Sequence, residues 1–228
     1  MSSTRDTTGQ HAGTTENSAF QASVLSIVAG YADTLGYLSF GAFAGLMTGN
    51  TVLLGIALAS GKLTQAQHNF LIIVAFLSGV GASVLLRRAG VRLYWLLTLE
   101  AAALVAAAFL PATAGAPVLA LGMGLQNAAA TRFAGATLNT VFLTGDLQKL
   151  TQALVARFAR ARSPESSAGI HVLALVYICY LAGALLGATA YALVPRPLLW
   201  GVLLLPLALL RPGVRPGAGT AADRHDSG

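Results

Sequence analysis

Met47-Thr48-Gly49-Asn50 and its echo, Leu143-Thr144-Gly145-Asp146, are the two polar turns around which the rest of this sequence is arranged. Each turn follows a long apolar segment that contains polar residues, and each opens a shorter run with helical character. A polar turn that recurs in a chain this apolar indicates a duplicated membrane unit. We therefore predict an all-α fold in two related halves.

The composition indicates that most of the chain lies in lipid. Of its 228 residues, 55% are hydrophobic and 10% are charged, whereas a soluble domain carries about a quarter charged residues. The apolar runs are also long enough to cross ~30 Å of hydrocarbon, which takes about 20 residues of helix. We expect an integral membrane protein in contact with the lipid bilayer.

The net charge of +6 does not indicate a nucleic-acid-binding protein, because the basic residues lie at the ends of apolar segments and form no stripe on a soluble domain. The single cysteine, Cys179, lies within an apolar segment, and we interpret it as packing. Gly122-x-Gly124 lies within an apolar span and does not follow a strand, so it is not a nucleotide-binding loop. The sequence predicts no metal site, no cofactor, no catalytic residues and no enzyme.

Six apolar segments are predicted to span the membrane, at 20–41, 70–86, 93–110, 118–138, 170–193 and 198–210. Polar or uncharged loops are expected at 61–69 and 111–117. The positive-inside rule supports this number, because with both termini in the cytoplasm only Lys62 and Arg196 lie outside. Eight spans would export one of the basic clusters, at 87–92 or 157–162.

The domain organisation follows from these spans. Residues 1–18 and 212–228 are predicted to be disordered cytoplasmic tails, because they are polar and lack large apolar residues or are rich in Pro and Gly. Residues 19–211 form the membrane domain, with repeat units at about 20–110 and 117–211. Three spans per unit would turn the second unit upside down, which gives a 3+3 inverted repeat. Aligning the two Thr-Gly pairs places Gly30 opposite Gln126.

Two short runs follow the turns and are not counted as spans. The run 51–59 is too short to cross the membrane and too apolar for water, which favours a re-entrant half-helix covered by protein. The run 146–162 is amphipathic and is either a helix on the cytoplasmic membrane surface or an ordinary loop helix packed on the protein. Its basic residues are Lys149, Arg157, Arg160 and Arg162.

The two turns and their surroundings resemble a known family. Gly30-Tyr31-Ala32-Asp33 followed by Met47-Thr48-Gly49-Asn50-Thr51 is similar to the first-half motif of the YoaK-like family of bacterial membrane proteins. Leu121-Gly122-Met123-Gly124-Leu125-Gln126-Asn127 and Thr144-Gly145 resemble its second-half motif. The resemblance covers about residues 20–210 and implies a six-span inner-membrane protein, without implying a function.

Ionisable side chains within a span are costly and are therefore functional hypotheses. Asp33, Glu100 and Arg132 are the three that we find in the predicted spans. Asp33 and Arg132 could pair only in a stretched geometry, and the alternatives are a structural pair or an Arg132 that extends to the membrane surface. Glu100 has no obvious partner and is either a protonatable relay group or a neutral, hydrogen-bonded acid.

Polar uncharged residues give a second set of candidates. Gln126 and Asn127 lie near the middle of the fourth span and either bind a polar substrate or bridge helices, because unsatisfied amides there are costly. The two turns either cap helices or direct the positive ends of half-helices at an anionic or polar ligand. Their residues are Thr48, Gly49, Asn50, Thr144, Gly145 and Asp146.

Two G-x-x-x-G spacings, Gly41 with Gly45 and Gly183 with Gly187, predict close helix packing. Packing within one protomer is the first interpretation, and a homodimer is the second. Two functions remain open on the sequence. One is a small transporter or channel for an unidentified polar molecule or ion, and the other is a non-transporting scaffold or sensor that acts through its basic surface helix.

Overall fold

The computed structural model describes residues 7–129, 143–159 and 167–209, and every regular element within these ranges is helical. The all-α prediction is therefore confirmed. The elements are α1 (Thr7–Phe40), α2 (Met47–Ala59), α3 (Leu63–Arg88), α4 (Leu93–Phe109), α5 (Ala112–Ala129), α6 (Leu143–Phe158), α7 (Ser167–Leu193), α8 (Leu198–Val202) and a 3₁₀ helix (Leu205–Leu209).

Two helices are long and apolar enough to cross a membrane, α3 and the Gly169–Leu193 part of α7. Only 28% of the most apolar stretch of each is buried inside the protein. Large apolar side chains such as Leu77, Leu85 and Leu185 instead face outward. A helix with this outward apolar surface needs lipid as its solvent, which fits a membrane protein. The α2, α4 and Leu198–Leu209 helices are apolar but shorter.

The helix ends differ from the predicted loops at two places. α3 begins at Leu63, so most of the predicted 61–69 loop is helical, and the turn is made by Gly61, whose φ of +68° suits glycine. α5 begins at Ala112 and contains Pro117, so the predicted 111–117 turn is also helical. The helix starts there because the Pro111 carbonyl accepts hydrogen bonds from the Ala114 and Gly115 amides.

The first helix begins before the predicted first span. α1 starts at Thr7 and therefore runs into the segment 1–18. The prediction that this segment is a disordered cytoplasmic tail stays a prediction, as does the one for 212–228, which lies outside the described residues.

The closest helix pairs join early helices to late ones. α1 packs most extensively on α7, and α3 packs most extensively on α5. At both crossings glycines let the backbones touch. A Cβ on Gly30 would overlap the Tyr180 carbonyl, and a Cβ on Gly183 would overlap the Ile27 carbonyl.

The α3–α5 crossing has the same construction. A Cβ on Gly79 would overlap the Leu121 carbonyl, and a Cβ on Gly124 would overlap the Phe76 carbonyl. Neither pair of helices could approach this closely with any larger residue at these glycines. The two crossings fix α5 beside α1 and α4, where the candidate site lies.

The last apolar segment is held against α1 at both of its ends. The Tyr31 hydroxyl donates to the Pro197 carbonyl at 2.6 Å, and the Gln21 amide Nε2 donates to the Ala208 carbonyl at 2.9 Å. Between these two bonds Gly201 packs on Tyr31 and on Leu104 of α4. The helices α1, α4 and α8 therefore share one core.

Candidate functional site

The segment 41–46 interrupts the helix before α2 and is closed by Asn50. The Phe43 amide donates to Asn50 Oδ1 at 2.9 Å, and Asn50 Nδ2 donates to the Phe43 carbonyl at 2.8 Å. Asn50 is fully buried, so both bonds are shielded from competing solvent. The first polar turn is thus a closed loop, held by one amide side chain that pairs with the backbone N–H and C=O of a single residue.

Asp33 reaches the same segment from α1. Its Oδ1 accepts hydrogen bonds from the Gly45 amide at 2.6 Å and the Leu46 amide at 3.1 Å. Its Oδ2 accepts one from the Tyr180 hydroxyl of α7 at 2.7 Å. A buried carboxylate with three donors is well compensated, and it neutralises the positive N-terminal end of α2.

This geometry bears on the two interpretations of the first turn. Leu46 is the N-cap of α2 and makes no side-chain cap bond, while the Thr48 side chain is exposed. The Gly45 and Leu46 amides, which precede α2, are occupied by the protein's own Asp33, so these two amides are not open to an anion. Gly49 serves packing, because a Cβ there would press on the Phe43 ring.

Gln126 connects α5 to α1. Its Nε2 donates to the Leu25 carbonyl at 2.8 Å, and its side chain is fully buried. Its Oε1 is also buried and has no hydrogen-bond partner among the described residues. The Nε2 group therefore bridges two helices, whereas Oε1 is a buried acceptor to which no described residue donates.

Glu100 lies on α4 against the face of α5 that also carries Gln126. Gly122 packs on the Glu100 backbone, and Gly115 packs near Ala107, so α4 and α5 run antiparallel. Gln126 is one helical turn beyond Gly122, on the same face of α5. Since side chains lean towards the N-terminus of their helix, the Glu100 carboxyl is directed to the level of Gln126. Both Glu100 oxygens are buried and lack a partner within the described ranges.

Further unpartnered acceptors flank the α3–α5 crossing. Asn127 Oδ1 lies next to Gln126 in sequence, three residues beyond Gly124, and Ser83 Oγ lies one turn beyond Gly79. We call Ser83, Glu100, Gln126 and Asn127 the acceptor group. Buried oxygens without partners are uncommon in native structures, and each one calls for a physical explanation.

Several predicted site residues are not brought into this group. Asp33 and Asn50 are consumed at the first turn, and Gly145 is exposed at the start of α6. Arg132 lies outside the described residues, so the Asp33–Arg132 pair stays a prediction. The predicted roles of five further residues also stay predictions, because their side chains lie outside the described part: Thr144, Asp146, Arg157, Arg160 and Arg162. Lys149 is half-buried on α6.

The predicted glycine pairs divide in the same way. Gly183 and Gly187 lie against the α1 backbone, at Ile27 and Tyr31. Gly41 and Gly45 are not in a helix: Gly41 has a φ of +72° just after α1, and the Gly45 amide binds Asp33. Their spacing therefore does not mark a helix-packing motif, because α1 has ended at Phe40.

Sequence reasoning missed Tyr180 and the importance of Ser83. Tyr180 lies in the middle of a long apolar helix, where a phenol needs a hydrogen-bond partner, and this position was the available signal. Ser83 has the same kind of signal, a hydroxyl on a helical face marked by Gly79. The role of Phe43 could not be predicted, because its backbone N–H and C=O, and not its side chain, bind Asn50.

Comparison with known proteins places the chain among its relatives. Residues 21–210 match the family described as "Protein of unknown function (DUF1275)". The chain is also 30% identical over 183 residues to the "UPF0700 transmembrane protein YoaK" of Bacillus subtilis (strain 168), which covers 74% of this chain and 81% of that protein. No solved structure matches it. The predicted resemblance to YoaK-like proteins is confirmed, and the chain belongs to the DUF1275 family of membrane proteins.

Proposed function

We propose that this protein is a small transporter or channel that moves a polar molecule or ion past the acceptor group. The observation that carries the proposal is the pair Glu100 and Gln126, whose buried oxygens have no partner among the described residues. Leaving such groups unsatisfied costs roughly 1–3 kcal/mol each, and more for a charge. A solute that binds there would recover this free energy.

The contrast with the first turn supports the proposal. Asp33 and Asn50 are equally buried, yet their hydrogen-bonding capacity is taken up by named backbone and phenol partners. The fold therefore can satisfy a buried polar residue when its role is structural. The acceptor group lacks this compensation, which favours a role in binding.

We further propose six spans arranged as a 3+3 inverted repeat in the inner membrane, with both termini cytoplasmic. Its support is the similarity of the two glycine crossings. Gly30 of α1 lies against the Tyr180 carbonyl of α7, and Gly124 of α5 lies against the Phe76 carbonyl of α3 in the same way. This correspondence pairs Gly30 with Gly124 and not with Gln126 as the turn alignment predicts. In this second register Asp33 corresponds to Asn127. Inverted repeats are a recurring construction of transporters.

The test is cysteine labelling in sealed vesicles, in a Cys179→Ala background. Ser83→Cys, Gln126→Cys and Asn127→Cys should react with a small, membrane-impermeant thiol reagent. The matched control is Ser78→Cys, which lies on the same helix as Ser83 but faces outward and should stay unreactive in lipid. Ser60→Cys, exposed in the turn before α3, should react fully.

Reaction at the acceptor group with silence at Ser78 would support an aqueous path. Silence at all three positions, in folded protein with Ser60 reacting, would refute the transporter. The same labelling, repeated with candidate solutes present, would show protection by whichever solute occupies the path. We also propose that no chemical conversion occurs there, so the solute should be recovered unchanged.

A non-transporting scaffold is the second candidate, and one feature of α6 favours it. Leu147, Leu154 and Phe158 form an exposed apolar stripe, while Ala153 on another face is buried and Leu150 packs on the core formed by α1 and α7. Such a helix suits the membrane surface, where its apolar stripe enters the lipid. A homodimer remains a proposal that cross-linking in membranes would test.

A further inference from the structure

We propose that the occupant of the acceptor group is a monovalent cation, either an inorganic ion or a small protonated amine. This inference rests on the proposed function and adds the chemical class of the solute. It is carried by the type of atom that the protein leaves unpaired at Glu100 and Gln126.

All the unpartnered buried side-chain atoms in the described part of the chain are oxygens. They are Asn69 Oδ1, Ser83 Oγ, both Glu100 oxygens, Gln126 Oε1 and Asn127 Oδ1. Apart from the serine hydroxyl, these atoms can only accept hydrogen bonds or coordinate a cation while Glu100 is ionised. Five of these six atoms are acceptors, so they favour a ligand that donates hydrogen bonds or carries positive charge.

The orientation of Gln126 follows from its surroundings. One of its two amide atoms lies 2.8 Å from the Leu25 carbonyl oxygen, and a carbonyl can only accept a hydrogen bond. The nitrogen must therefore lie on the α1 side, and the oxygen must lie away from it. Gln126 thus presents an acceptor beside Glu100 by necessity and not by a choice between two equivalent placements.

Charge balance at Glu100 points the same way. An ionised carboxylate buried among helices requires a positive partner. The described residues of α4 and α5 supply none beside it: Arg92 precedes the first turn of α4, and Arg196 lies over the Phe109 ring at the opposite end of that helix. A bound cation provides the missing charge, and the Gln126 amide oxygen offers it a further ligand.

Asp33 is the internal comparison for this argument. It is also a buried carboxylate, but two amides and the Tyr180 hydroxyl already donate to it. Each of its two oxygens is already engaged by a donor of the protein. The two buried acids of the described chain are therefore expected to respond differently to cations.

The experiment measures thermal unfolding of the purified full-length protein in detergent, at constant ionic strength, with different chloride salts. Sodium and potassium form the inorganic arm, and ammonium and methylammonium form the amine arm. Tetraethylammonium, which is large and has no N–H donor, is the control cation. A cation at ~10 times its Kd should raise the unfolding midpoint by about 3–6 °C relative to tetraethylammonium.

Variants assign the effect to the site. Glu100→Gln, which has the same shape without the charge, should abolish the shift. Gln126→Met, which has a similar length but no amide oxygen, should reduce the shift, and it should lower the midpoint in every salt because the bond to the Leu25 carbonyl is lost. Asp33→Asn is the matched control: it should lower the midpoint in every salt but retain the cation-dependent shift.

Three results would overturn the inference: no cation shift in the wild type, an equal shift in Glu100→Gln, or a shift that appears only after Arg132→Gln. The last would mean that Arg132 supplies the counter-charge. The labelling test separates this inference from the proposed function. Labelled acceptor positions without a cation effect would refute the cation and leave the path intact, whereas a cation effect without labelling would refute transport.

Discussion

Asn50 is the residue whose replacement should damage the first turn most. Asn50→Ala would leave the Phe43 amide and carbonyl unpaired in a buried site, at a cost of about 1–3 kcal/mol for each group. We expect the free energy of unfolding to fall by about 2–6 kcal/mol, measured by denaturant titration in micelles. Thr48→Ala, which alters an exposed neighbour, should change it by less than ~0.5 kcal/mol. Equal losses in both variants would contradict this role of Asn50.

At the residue scale the sequence marked which polar residues matter but not what each one binds. Asp33, Asn50, Glu100 and Gln126 stand out because polar groups are costly in an apolar segment. Whether such a group is satisfied depends on residues far away in sequence: Tyr180 donates to Asp33 across 147 positions, and Gln126 to Leu25 across 101. No spacing within one segment contains that information, so the division between structural and unpartnered residues required the fold.

The helix α3 contains a matched pair of glycines that tests the close crossings. Gly79 lies on the α5 backbone, while Gly81, two residues later, faces open space. Gly79→Ala should force the helices apart and lower the free energy of unfolding by about 2 kcal/mol or more, because overpacking typically costs 1–3 kcal/mol. Gly81→Ala should be neutral or stabilise by up to about 1 kcal/mol, since alanine favours the helix.

The readout for this pair is again unfolding in micelles, together with the yield of folded protein. If Gly81→Ala were as harmful as Gly79→Ala, helix propensity or lipid contact, and not the α3–α5 approach, would explain the glycines. The elements themselves were largely predictable, since apolar length sets α3 and α7. The ends of the helices were not predictable, for two reasons. A polar first turn such as that of α3 can extend a helix beyond the lipid. Pro111 and Pro117 are both compatible with the start of α5.

At the scale of the whole molecule, the six-span proposal makes a definite statement about sides. Arg87, Arg88 and Arg92 flank the turn between α3 and α4, and the positive-inside rule places this turn in the cytoplasm. A fluorescent-protein fusion after Gly90 should fluoresce, and an alkaline phosphatase fusion there should be inactive. Fusions after Gly61 should show the opposite pattern. Active phosphatase after Gly90 would refute the proposed topology.

The two glycine crossings have a consequence for how the chain is made. Because α1 meets α7 and α3 meets α5, the most extensive packing of these helices joins the two halves of the sequence. The two halves are therefore interlocked, as the subunits of a domain-swapped dimer are. During synthesis the glycine face of α1 cannot pack on α7 until nearly the whole chain has been inserted into the membrane. Contacts this distant in sequence slow folding. We therefore expect insertion factors to be needed most while α1 is in the membrane without α7.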